Sequence, residues 1–70
     1  MDREAVSSSN IESVGYDREL NLLEVAFKGG GLYHYENVSP HTHEELVGAG
    51  SIGRYFAQNI KEKYPTTRVN

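Results

Sequence analysis

Leu22-Leu23-Glu24-Val25-Ala26-Phe27, Lys28-Gly29-Gly30-Gly31 and Leu32-Tyr33-His34-Tyr35-Glu36 form the stretch on which the fold turns. In an extended chain, side chains alternate between two faces. Leu23, Val25 and Phe27 therefore share one side, and Glu24 and Ala26 the other. The glycine run accepts the positive φ that a hairpin loop requires. Beyond it the alternation resumes, with Tyr33 and Tyr35 on one side and Leu32, His34 and Glu36 on the other. Two antiparallel strands joined by a tight turn are the direct reading.

Upstream, Ile11, Val14 and Tyr16 lie in a third β-prone run that breaks at the polar turn Asp17-Arg18-Glu19. Downstream the period changes. Ser39-Pro40 has a helix N-cap residue followed by proline at the first helical position. It predicts a short helix to about Val47, with Leu46 and Val47 as its apolar side and Gly48 and Gly50 ending it. Ser51 caps a second predicted helix, from residue 52 to about 63, in which Ile52, Phe56 and Ile60 form one stripe and Arg54, Gln58 and Lys61 face away. Pro65 stops it.

The expected architecture is an α+β fold: a three-stranded antiparallel meander followed by two short helices packed on one sheet face. Residues 1–9 read as a flexible lead-in, 10–64 as a single domain and 65–70 as a loose tail. Leu23, Val25, Phe27, Tyr33 and Tyr35 are expected to meet Leu46, Ile52, Phe56 and Ile60, leaving the other sheet face in water.

Composition narrows the function. At 70 residues the chain is one domain, and with no cysteine it has neither disulfides nor a thiolate zinc site. Its stability must come from packing, for which five Tyr, two Phe and a set of Leu, Ile and Val are available. There is no apolar run of about 18 residues to span a membrane, and no secretory leader pattern, so a cytoplasmic location is the default expectation. The net charge of −3 argues against strong non-specific nucleic-acid binding. That charge is uneven: residues 10–37 are net −3, whereas residues 51–70 carry Arg54, Lys61, Lys63 and Arg68 against Glu62.

Four constellations carry possible chemistry. Tyr33 and Tyr35 either face the helices as core or form a platform for stacking unpaired bases. His34, His41 and His43 do not make a metal set, because His41 and His43 fall on different sides of a helix and no tight acid cluster completes them. Gly29-Gly30-Gly31 lacks the following helix and Lys-Ser/Thr pair of a phosphate loop, and reads as a hairpin turn. In Ala49-Gly50-Ser51-Ile52-Gly53-Arg54, a helix start beside a cation has the form of an anion site, and Gly53 lets a ligand or a neighbouring element come close. Alternatively, Ser51 caps the helix and Gly53 makes room for a packed tyrosine ring. No nucleophile elbow, thiol or paired acids appear, so catalysis is not expected and no cofactor is implied.

The ordered motifs Val6-x-Ser8-x-x-Ile11, Val14-Gly15-Tyr16-Asp17, Leu23-x-Val25-x-Phe27, Gly30-x-x-Tyr33-x-Tyr35-x-x-Val38, Ala49-x-Ser51-x-Gly53-x-Tyr55-Phe56-x-x-x-Ile60 and Tyr64-Pro65 cover nearly the whole chain. At these spacings they resemble the KTSC domain family, named after the C-terminus of certain lysyl-tRNA synthetases. The resemblance implies a module found as a tail on some of those synthetases and as small stand-alone bacterial or phage proteins. It implies RNA binding by association with the synthetase context, and it marks Tyr33, Tyr35, Ser51, Gly53, Tyr55 and Phe56. Many members have proline in place of Ser39 and Gly50 and a basic residue in place of Ile52. Lacking that charge, the anion site here has one contact fewer.

The sequence therefore leads to a non-catalytic accessory module that binds RNA weakly. Its contacts are Ser51, Gly53, Arg54, Lys61 and Lys28, with Tyr33 and Tyr35 beside them. The alternative is a protein-interaction module, as a homodimer or with another protein, using the open sheet face around Leu32 and His34.

Overall fold

A computed structural model describes residues 1–70. Strands β1 (Arg3–Ala5), β2 (Ile11–Asp17), β3 (Leu22–Phe27) and β4 (Leu32–Tyr35) are followed by helices α1 (Pro40–Val47) and α2 (Ile52–Asn59) and by strand β5 (Thr66–Arg68). All neighbours pair antiparallel in the order β1-β2-β3-β4-β5, so the two helices form the connection between the last two strands.

The central hairpin has the register that alternation predicts, with Leu23 opposite Tyr35 and Val25 opposite Tyr33. Its loop has Gly30 at φ 105° and Gly31 at φ 101°, a region in which any Cβ is strained. On β2 the pairing shifts between Ile11 and Ser13. This bulge brings Ile11 and Val14, three apart, to the same face. The turn from β2 to β3 is closed by Asp17, whose Oδ1 accepts the N–H groups of Glu19 at 2.9 Å and Leu20 at 3.2 Å.

The helices cover one face of the sheet. Ile11, Val14, Leu23, Val25 and Tyr35 of the sheet meet Leu46, Ile52, Phe56 and Ile60, and Val38 closes the end of the cluster. Phe56 sits between Phe27 and Tyr35, edge-on to both, with centroids at 5.5 and 5.4 Å. Ser39 caps α1 as expected, accepting the Thr42 N–H at 3.1 Å. Val47 does not share the apolar side of α1 with Leu46: it is 42 % exposed, whereas Leu46 is fully buried.

The sheet has five strands where the sequence predicts three, and the two additions lie in the expected lead-in and tail. β1 lies against Gly15, where a Cβ would come within 2.8 Å of the Asp2 carbonyl oxygen. Arg3 secures it, with Nε donating to Ser13 Oγ and Nη1 to Glu24 Oε1, both at 3.0 Å. β5 is held by Glu36 N–H donating to the Pro65 carbonyl at 2.9 Å and Val69 N–H to Leu32 at 2.7 Å. The second helix is also shorter than predicted. The N–H groups of Ile60 and Lys61 both reach the Phe56 carbonyl at 2.9 Å, and Glu62 turns the chain at φ 62°. Lys61 therefore lies beyond the helix, in the turn that returns the chain to β4. No helix is long and apolar enough to cross a membrane.

Truncating Phe56, which is 4 % exposed, removes the ring that joins helix to sheet. Phe56→Ala is expected to cost about 3–5 kcal/mol in urea denaturation. A variant as stable as the parent would mean that the ring does not sit in the core.

Candidate functional site

The expected site residues fall into two adjoining clefts. The first, of about 600 Å³, is polar and lies between the start of α2 and the segment that enters β2. Ser51 caps α2, its Oγ accepting the Arg54 N–H at 3.3 Å. Arg54, Gly53 and Lys28 line the same cleft, facing Ser7, Ser8, Ser9 and Asn10. Lys28 is brought there by its backbone, whose N–H donates to the Asn10 carbonyl at 2.9 Å.

Gly53 makes room for a neighbouring element, as one reading of the sequence expects, and not for a tyrosine ring. A Cβ there would lie 2.9 Å from Asn10 Oδ1 and 3.4 Å from Ser8 Oγ, so the glycine admits the Ser8–Asn10 segment. Ser8 shapes that segment: its hydroxyl accepts the Asn10 and Ile11 N–H groups at 3.3 and 3.2 Å and donates to Asn10 Oδ1 at 3.0 Å. Ser8 and Asn10 are the site residues that the sequence reading leaves out. Their signal was the spacing Val6-x-Ser8-x-x-Ile11, in which the serine hydroxyl takes the Ile11 N–H. Ile52 is 8 % exposed and belongs to the core.

The second cleft, of about 490 Å³, is aromatic. Phe27, Tyr33, Tyr35 and Phe56 line it, with Lys61 and Glu62 at one side. Its two tyrosines differ. Tyr35 is 5 % exposed and is a core residue. Burial, helped by the neighbouring Tyr33, pushes its phenol up to about 12. Tyr33 is half-buried, edge-on to Phe27 at 5.6 Å, with the Arg68 guanidinium 5.8 Å from its ring centre. Asn10 lines both clefts, so Arg54 and Lys28 lie along one continuous surface with Tyr33 and Lys61.

Charge is segregated around the molecule. The two clefts present Lys28, Arg54 and Lys61 against Glu62 alone. The surface beside β1 and α1 presents Asp2, Glu4 and Glu44 against Arg18. The open sheet face has a third character. At its centre Glu24 is held by Arg3 Nη1 at 3.0 Å and by His34 Nε2 at 2.8 Å. Burial opposes ionisation of Glu24, but the hydrogen bonds from His34 and Arg3 outweigh it and hold the carboxyl below its usual range.

The three histidines lie apart. His34 pairs with Glu24, and His41 Nε2 lies 3.3 Å from Glu45 Oε2. His43 stacks on Tyr16 at 4.5 Å, and burial lowers its pKa against the opposing pull of Glu44 and Glu4. Tyr55 ties α2 to α1 by donating to Glu45 Oε1 at 2.8 Å. Burial first, and that bond second, push its phenol up to about 12.

The architecture is thus a small α+β module with a five-stranded antiparallel sheet, two helices on one face and a cation-lined groove at the start of the second helix. The chain belongs to the KTSC domain family, whose model matches residues 7–64. It is 45 % identical over 64 residues to an uncharacterised protein of Stutzerimonas stutzeri, covering 91 % of this chain and 90 % of that one. It is 37 % identical over 59 residues to a protein of Tsukamurella paurometabola, covering 84 % and 88 % of the two chains. The crystal structure of a KTSC domain protein from Yersinia pestis superposes with a TM-score of 0.96 at 38 % identity, covering 99 % of this chain and 97 % of that chain.

The lowered pKa values of His43 and Glu24 set the direction of the acid response. A group whose pKa is depressed by folding contributes stability above its unfolded value and loses it as pH falls. Stability in urea is expected to be level between about pH 6.5 and 10, to decline below 6.5 as the unfolded chain takes up the His43 proton first, and to decline again below 4.5 through Glu24; above 10 it declines as the raised phenols of Tyr35 and Tyr55 lose their contribution. His43→Phe, which keeps a ring on Tyr16, should abolish the first decline. A first decline that persists in this variant would assign it to another group.

Proposed function

We propose that this KTSC domain is a non-catalytic module that binds single-stranded RNA weakly through its phosphates. One observation carries the reading: the clefts adjoining at Asn10 string Lys28, Arg54 and Lys61 along one surface of an otherwise acidic protein. A groove of separated cations follows a flexible phosphate backbone without reading its sequence. The start of α2 adds the partial positive charge of a helix N-terminus on the same side. Few contacts and a net charge of −3 keep the affinity low and sensitive to salt.

The alternative, a protein partner or a second copy on the open sheet face, has less support. The centre of that face is occupied by the Arg3–Glu24–His34 network, and each outer strand offers only three residues. Sedimentation over a range of concentrations separates the two, since self-association through that face requires a concentration-dependent mass.

Fluorescence anisotropy with a labelled single-stranded RNA is expected to give a log–log salt slope of roughly −2, each phosphate contact contributing about −0.7. Lys28→Ala, Arg54→Ala and Lys61→Ala should each flatten the slope by about 0.7. An affinity indifferent to salt would contradict the proposal.

A further inference from the structure

The aromatic cleft has a composition that phosphate contacts leave unused. We infer that it is a stacking site for one unpaired nucleobase of the bound strand, with the half-buried ring of Tyr33 as its platform. The inference rests on the phosphate-groove reading and extends it from the backbone of the strand to its bases.

Three features support it. First, Tyr33 and Tyr35 are alternate residues of β4 with rings on the same side, yet they are buried unequally. Tyr35 is enclosed by Phe56, whereas Tyr33 leaves part of its ring on the cleft. Core packing fully accounts for Tyr35 and only partly for Tyr33.

Second, the ring of Tyr33 is held in place before any ligand arrives. Phe27 meets it edge-on at 5.6 Å. On its flank, a Cβ at Gly31 would come within 3.0 Å of Tyr33 Cε1, so the loop glycine lets the ring lie against the backbone. The Arg68 guanidinium lies over the ring, 5.8 Å from its centre, and the ring itself contributes to the lining of the cleft. A fixed aromatic surface loses little freedom on stacking, and every base has a π-face to offer it.

Third, cations share the surface with the ring. Lys61 lines the same cleft as Tyr33, and the polar cleft with Lys28 and Arg54 begins at Asn10 beside it. A base on Tyr33 therefore has cations on hand for the phosphates adjoining it. A purely apolar ligand would leave those cations unused. A free anion would leave the ring unused.

The test compares three probes on the wild-type protein by anisotropy and amide-shift titration: a short oligoadenylate, an abasic ribose-phosphate strand of equal length, and adenosine monophosphate. Oligoadenylate is expected to bind about 5- to 150-fold more tightly than the abasic strand. Tyr33→Leu should remove that advantage and Tyr33→Phe should keep it. Equal affinity for the oligoadenylate and the abasic strand overturns the stacking site while leaving the phosphate groove intact. Failure of both strands to bind overturns both proposals. Adenosine monophosphate binding as tightly as oligoadenylate overturns the strand and assigns the cleft to a free nucleotide. The abasic comparison uses unmodified protein, so it remains decisive if Tyr33→Leu does not fold.

Discussion

The ring of Phe56, set edge-on between Phe27 and Tyr35, is the contact on which the remainder of the molecule depends. A five-stranded sheet in so short a chain has one face to bury and only two short helices to bury it with. α1 contributes a single buried side chain, Leu46, so most of the helical cover comes from α2 and from Ile60 just beyond it. Edge-to-face aromatic contacts add direction to that burial, because ring edges and faces attract only in certain orientations. They fix the rotation of α2 about its axis as well as its distance from the sheet.

That rotation positions the groove. With Ile52 and Phe56 turned inward, Gly53 faces the Ser8–Asn10 segment and Arg54 faces the cleft beside it. Ser8 completes the arrangement by taking up the N–H groups of Asn10 and Ile11, and Asn10 in turn accepts the Lys28 N–H. Cations from the β3–β4 loop, the start of α2 and the turn beyond it thus come to one side of the fold. The acids Asp2, Glu4 and Glu44 gather on another side, so the molecule is polarised despite its modest net charge. On the open sheet face the charges neutralise one another, with Glu24 held between Arg3 and His34.

The parts of this fold that were legible in the sequence are those governed by local periodicity. The hairpin of residues 22–35 shows strict alternation around a glycine loop, and both helices begin at a serine cap that serves as predicted. β1 and β5 were illegible because three-residue strands without a buried residue carry no alternation to detect. Their anchors are tertiary: a missing side chain at Gly15, the Arg3–Glu24 pair, and backbone bonds from Leu32 and Glu36. The same distinction runs through the site. Ser51, Gly53 and Arg54 were singled out from helix-start grammar, whereas Ser8 and Asn10 meet Gly53 only through the fold, and a serine run beside charged residues looks like a linker. Lys61 was placed on a helix that ends before it, since nothing in the sequence announces the left-handed turn at Glu62.

The central claim is that one groove, running from Ser51 past Asn10 to Lys61, takes up single-stranded RNA. The most direct measurement is an amide-shift map of the labelled protein titrated with a short single-stranded RNA at low and near-physiological salt. The account predicts shifts at residues 8–10, Lys28, Ser51–Arg54 and Lys61 that fade together as salt rises. Shifts centred on Arg3, Glu24 and His34, or none at low salt, would contradict it.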